Sequence, residues 1–142
     1  MKIREIMTPD AQCIRSDETL VDAASLMRQL DVGVLPVCDD DVVVGMLTDR
    51  DIAIRAVAES RDPSCTLVHE IMSPGTIFVY DDHDVQEAVR VMEDHQIRRA
   101  PVLNREKKLV GIVSLGDIAV DAGAALSGEV LKFVSQPAEP VR

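Results

Sequence analysis

The amino-acid sequence predicts an α/β protein with mixed sheets: two tandem β-α-β-β-α units packed about a pseudo-twofold axis. Three observations carry that expectation. The opening EIMTP, Glu5 to Pro9, returns as EIMSP, Glu70 to Pro74, at an offset of 65 residues. The stretch Thr19–Val37 matches Asp84–Val102 at the same offset, so the chain up to about residue 125 is one unit written twice. An apolar strand that opens on glycine and ends on a hydroxyl occurs in both copies, as GMLTDRDI from Gly45 and GIVSLGDI from Gly111.

Taken in order, each unit begins with a short apolar segment that ends at Pro9 or Pro74. A strand follows, near Gln12–Arg15 and Thr76–Tyr80. An amphipathic helix comes next: Leu20, Ala23, Ala24 and Met27 fall at helical spacing, and so do Val85, Ala88, Val89 and Met92. Thr19 with Asp22, and Asp84 with Glu87, read as capping boxes for these helices. Second strands cover Val34–Cys38 and Arg99–Leu103, and third strands Val42–Leu47 and Leu109–Val113. The turns between them are Asp39–Asp41 and Asn104–Lys108. The first two strands of a unit, joined through a helix, should be parallel, and the next pair antiparallel. The division is a first repeat at 1–60, a linker at 61–68, a second repeat at 69–126 and a tail at 127–142, in which EVLKFV beyond Gly128 reads as a short helix.

Composition sets bounds on this picture. A unit of about sixty residues is marginal alone, so two should bury their open sheet faces against each other. Apolar residues make up 46% of the 142, enough for a full core. That core must be aliphatic, because the aromatic residues are Phe78, Tyr80 and Phe133 and there is no Trp. The formal charge of −10 repels nucleic acid and anionic membrane, so neither is an expected partner. No apolar run approaches membrane-spanning length and the N-terminus lacks a signal-peptide pattern, so the cytoplasm is the expected compartment. Cys13, Cys38 and Cys65 show no zinc spacing, and His69, His83 and His95 are scattered; no metal is expected. Cys13 and Cys38 align with Phe78 and Leu103, which reads as small core residues on neighbouring strands, close enough to pair under oxidation.

The chemistry, where there is any, lies at the end of the repeated strand. Thr48 and Ser114 would cap a helix, with Asp51 and Asp117 three residues on. A helix start offers unpaired N–H groups and the positive dipole end to a phosphate, and the carboxylate offers acceptors to a diol such as ribose. The same spacing is also a capping box with no ligand role. In so acidic a chain Arg98-Arg99 is an unusual basic pair, suited to phosphate or to surface pairing with Glu93 or Asp94. Asp39-Asp40-Asp41 reads as a hairpin turn. No P-loop, dinucleotide fingerprint or nucleophile elbow is present, so no enzyme is expected.

The doubled unit, with its two EIM-[ST]-P openings, its LPV and APV strands, GMLTDRDI and GIVSLGDI, resembles the cystathionine-β-synthase (CBS) domain pair, or Bateman module. It looks like the small stand-alone bacterial members. The resemblance implies a regulatory, non-catalytic module that binds an adenosine nucleotide such as AMP, ATP or S-adenosylmethionine in clefts between the repeats. It requires no cofactor. It implies ribose contacts from Asp51 and Asp117, and Thr48 and Ser114 near the phosphate. The family's basic position falls on Arg98-Arg99, facing the ligand of Thr48 and Asp51, while the first repeat has Gly33-Val34 there. The two clefts should therefore be unequal. The family's pairs commonly dimerise, so the partners implied are a second copy and an unknown protein. The alternative is a structural CBS dimer with empty clefts.

Overall fold

The ten residues that open the chain fold with its second half. The computed structural model describes residues 1–75 and 77–122 and Lys132. The helix expected beyond Gly128 and the tail lie outside the described residues. Two compact units are present: Ala11–Thr76, and Met1–Asp10 together with the chain from Ile77. In the latter, strand β1 (Thr8–Pro9) lies antiparallel to a strand near the other end of the chain, Thr8 facing Ile112 and Pro9 facing Gly111. Pro has no N–H to donate, and an edge strand is where a sheet tolerates it.

In the unit Ala11–Thr76, helix α1 (Leu20–Leu30) leads to strands β2 (Val34–Asp39) and β3 (Val42–Thr48). A short α2 (Asp49–Asp51) runs into wide π-helical turns at Ile52–Val57. Helix α3 (Val68–Ile71) and strand β4 (Ser73–Pro74) close the unit. The sheet order is β2-β3-β4, antiparallel throughout. Most of the strand expected at Gln12–Arg15 is irregular; only Ile14 bridges, in parallel, to Val37. The expected linker is tied down: Leu20 N–H donates to the Thr66 carbonyl at 3.0 Å, and Thr66 Oγ1 to the Asp62 carbonyl at 2.7 Å. Leu20, Leu35, Val37, Leu47, Val68 and Ile71 are at most 1% exposed. Each such burial contributes roughly 1.5–3 kcal/mol.

The other unit repeats the plan with β5 (Val79–Tyr80), α4 (Val85–His95), β6 (Arg99–Leu103), β7 (Leu109–Ser114) and α5 (Leu115–Ala122). Its order is β1-β7-β6-β5, with β5 parallel to β6 and the other pairs antiparallel. The parallel and antiparallel pairings follow the expectation. The added edge strands β1 and β4 were not foreseen. Each comes from the segment that opens one sequence repeat, and each completes the sheet built by the other repeat's strands.

Details of the helices differ from the sequence reading. Thr19 and Asp22 form the expected reciprocal cap, at 3.2 and 3.4 Å. Asp84 instead accepts from Gln86 N–H at 3.1 Å, while Glu87 meets His83 Nδ1 at 3.1 Å, so that cap is one-sided. Val85, Ala88, Val89 and Met92 are all buried, but their counterpart Ala24 is exposed. Leu115, which shares one core with Val89 and Met92, is replaced in the first repeat by Asp49. A carboxylate cannot fill that space, and an open groove of about 320 Å³ remains over Ala24, Met27, Val32 and Ile52.

Cys13 and Cys38 form a disulfide with Cα atoms 5.8 Å apart. Cys13 is exposed, which corrects its placement in the core; Cys38 is buried, and Cys65 is free and exposed. The link closes a loop of sequence separation 25, on the order of 3 kcal/mol in the chain-entropy view. Reduction is therefore expected to lower the melting temperature by roughly 10–20 °C, and peptide mapping without reductant should recover Cys13 with Cys38. Recovery of Cys65 in the link would mean that the neighbouring strands are misassigned.

The strand ends far from the motif helices carry carboxylates held by hydrogen bonds. Ser16 Oγ (2.6 Å) and Ser16 N–H (3.1 Å) hold Asp39 below the usual carboxylate range. Arg105 does the same for Asp82 through two bonds of 2.8 Å, while stacking 4.2 Å from the Tyr80 ring centre. A lowered folded value means stability that is present above the unfolded carboxylate range, about pH 4, and lost as pH falls through the folded value. Asp39→Asn and Asp82→Asn are expected to lower the melting temperature at pH 7, and the gap to the wild type should narrow as pH falls below about 4. A gap that persists unchanged at pH 3 would count against these bonds as its source.

Candidate functional site

Each motif sits where a strand becomes a helix, and the local backbone explains why. The N–H of Asp49 donates to the Gly33 carbonyl at 2.9 Å, and in the second repeat Leu115 N–H donates to the Arg98 carbonyl at 2.9 Å. This bond turns the chain out of the sheet at the same point in both copies. It leaves Thr48 as the N-cap of α2, with extended dihedrals (φ −114°, ψ 160°).

At the first motif the cap closes in both directions. Asp51 N–H donates to Thr48 Oγ1 at 3.0 Å, and Thr48 N–H donates to Asp51 Oδ2 at 3.0 Å. The capping reading of this motif is thus realised. Asp51 is 9% exposed, unusual for a carboxylate, and its other oxygen, Oδ1, stands 4.0 Å from Arg55 Nε. That is an ion-pair distance and too long for a hydrogen bond, so Oδ1 keeps its capacity for a further donor. Arg50, in the middle of the motif, is exposed on the helix surface.

At the second motif Asp117 N–H donates to Ser114 Oγ at 3.1 Å, and both residues are half-buried. The ladder pairs Arg99 with Ser114, and the Arg98 carbonyl holds Leu115. Within its own unit the basic pair therefore flanks Ser114 and Asp117. Arg99 is exposed and Arg98 half-buried. Thr48 and Asp51 belong to the other unit.

Sequence reasoning passed over Arg55. Its signal was present as an acid–base pair at i, i+4 on one helix, Asp51 to Arg55.

The CBS-domain family model matches residues 3–57 and 68–120. Hypoxic response protein 1 of Mycobacterium tuberculosis is 45% identical over 117 residues, covering 82% of this chain and 81% of that one. The CBS domain-containing protein YhcV of Bacillus subtilis is 41% identical over 131 residues, covering 88% and 92%. Among solved structures, CBSX2 in complex with AMP matches with TM-score 0.70 and 25% identity, over 87% of this chain and 97% of that one. The CBS domain pair of MJ0100, in complex with 5-methylthioadenosine and S-adenosyl-L-methionine, matches with TM-score 0.76 and 25% identity, over 89% and 98%.

Proposed function

Because the chain belongs to the CBS-domain family, with two tandem repeats, we propose that it is a regulatory ligand-sensing module that binds an adenosine nucleotide and catalyses nothing. One observation carries the reading: a nearly buried carboxylate, Asp51, at a helix start, with one oxygen committed to the cap and the other able to accept from a ribose hydroxyl. Asp117 and Ser114 repeat the arrangement, and Thr48 and Ser114 stand near the phosphate. Arg98 and Arg99 supply the positive charge that a phosphate needs in a chain of formal charge −10. CBS pairs of the same fold hold AMP, 5-methylthioadenosine and S-adenosyl-L-methionine, which supports the ligand class.

The proposal includes a homodimer. Ala53, Val57, Ala119 and Val120 are exposed on the motif helices, with Val57 at 64% and Val120 at 83%. Ala56, three residues after Ala53, is instead buried in its own core, and the side chain of Ala122 lies outside the described residues. No helix among the described residues is long and apolar enough to cross a membrane. The cytoplasm is the compartment proposed; its reducing conditions would open the Cys13–Cys38 disulfide, which would close again under oxidation.

The closed cap at Thr48 and Asp51 favours a second reading, a structural dimer without ligand. Titration calorimetry with AMP, ATP and adenosine, alongside a native mass spectrum of protein purified without added ligand, separates the two. Binding heat and a nucleotide-sized mass increment are expected. A dimer mass with no heat from any of the three would select the second reading.

A further inference from the structure

The two motif carboxylates have opposite neighbours one helical turn on. The counterpart of Arg55, at the repeat offset of the motif, is Asp121. Asp51 therefore faces a guanidinium, and Asp117 is followed at i+4 by a second acid. The surroundings of Arg55 are unusual as well. Its side chain is 34% exposed, and its Nη1 donates to the Ile71 carbonyl at 3.1 Å and to the Met72 carbonyl at 3.5 Å. Those carbonyls end α3 and lead directly into β4.

The backbone that carries Arg55 is also distinct. Ala58 N–H bonds to the Ala53 carbonyl at 2.9 Å, and Arg61 N–H to the Ala56 carbonyl at 2.9 Å, both reaching back five residues. The equivalent α5 is regular α-helix. Wide turns of this kind are rare and cluster at functional positions.

We propose that Arg55 is the positioning residue of the first motif. Anchored on the Ile71 and Met72 carbonyls, it holds the Asp51 carboxylate in one orientation and balances its charge. Oδ2 then stays on the Thr48 N–H, and Oδ1 is aimed at a ligand hydroxyl. Arg55 acts through Asp51 and leaves the phosphate to other groups. The second motif, with Asp121 in that place, lacks the device, so the two motifs differ in how firmly they present a carboxylate. The ligand part of this inference rests on the adenosine-nucleotide reading; the positioning part does not.

The test uses the full chain with Arg55→Met and Arg55→Lys, at a temperature where melting curves show every variant folded. In calorimetry, Arg55→Met is expected to weaken adenosine and AMP equally, by about tenfold, because the ribose contact is common to both. Arg55→Lys, which restores the charge, should recover most of that loss. A loss confined to AMP would overturn the proposal, since Arg55 would then contact the phosphate itself. Amide hydrogen exchange without ligand supplies a readout that survives failure of the nucleotide reading. Exchange at the Thr48 N–H should rise about tenfold in Arg55→Met, with the β2–β3 ladder unchanged. Unaltered exchange at Thr48 sinks the positioning role whether or not any nucleotide binds.

Discussion

Asp51→Ala is expected to weaken adenosine-nucleotide binding about ten- to a hundredfold. A hydrogen bond to a charged group contributes roughly 1.5–3 kcal/mol, and each 1.4 kcal/mol is about a factor of ten. The substitution also removes the acceptor of the Thr48 N–H, so part of any effect is a cost in folding stability. Asp51→Asn separates the two, because an amide oxygen can still accept from Thr48 while the charge is gone. Asp117→Ala is expected to cost less. Asp117 lies half-buried with Asp121 four residues on, whereas Asp51 is nearly buried and faces Arg55. Equal losses from Asp51→Ala and Asp117→Ala in calorimetry would remove the difference between the motifs.

Gly45→Ala and Gly111→Ala are expected to cost the protein about 1–3 kcal/mol each, the usual range for overfilling a packed site. A Cβ at Gly45 would stand 2.6 Å from the Ser73 carbonyl and 2.8 Å from Met72 Sδ. At Gly111 the same atom would meet the Thr8 carbonyl at 2.6 Å and Met7 Sδ at 2.8 Å. The methionine sulfur can move, but the carbonyl belongs to the edge strand that faces the glycine, with Pro74 opposite Gly45 and Pro9 opposite Gly111. The methyl group thus pushes β4 or β1 off its sheet. For units of this size the loss corresponds to a melting temperature lower by roughly 5–20 °C. Gly116→Ala is the control, since its Cβ would meet only Ser114 Oγ, at 3.7 Å, and alanine suits a helix better. Melting curves for Gly45→Ala and Gly116→Ala that coincide with the wild type would show that the edge strands are not held this closely.

The repeat made most of the architecture legible. Two aligned copies averaged out local ambiguity, so the strands from Val34, Val42, Arg99 and Leu109 appear within a residue of their expected bounds, and two helices start directly after the expected caps Thr19 and Asp84. The destinations of EIMTP and EIMSP were not legible. Two residues ending in proline carry no alternation, and their partners lie far along the chain. The glycines opposite them were the only local trace, read as strand openings and not as points of close approach. At the site, the hydroxyl and carboxylate of each motif were legible because cap spacing is local. For Arg55 only the i, i+4 spacing from Asp51 was legible; its contacts to Ile71 and Met72 were not, because they depend on a wide helical turn that the repeat itself does not share. The position of Arg98 and Arg99 beside Ser114 follows from the register of β6 with β7, which pattern alone left open.

The exchange of opening segments has a consequence for synthesis. Chains emerge from the ribosome N-terminus first and domains tend to fold as units while they emerge. Ala11–Thr76 is contiguous, and its last strand, Ser73–Pro74, follows soon after the sheet that it completes. The first ten residues are made before any of this, yet Thr8 and Pro9 find their partners only when Gly111 and Ile112 appear. Ile3 and Arg4 find carbonyl partners once Asp81 and His83 are made, but strand β1 stays unpaired until Gly111 and Ile112 follow. Cutting the gene at the sequence repeat would strand it permanently, so a product containing only the first repeat should hold a superfluous strand and lack the one it needs.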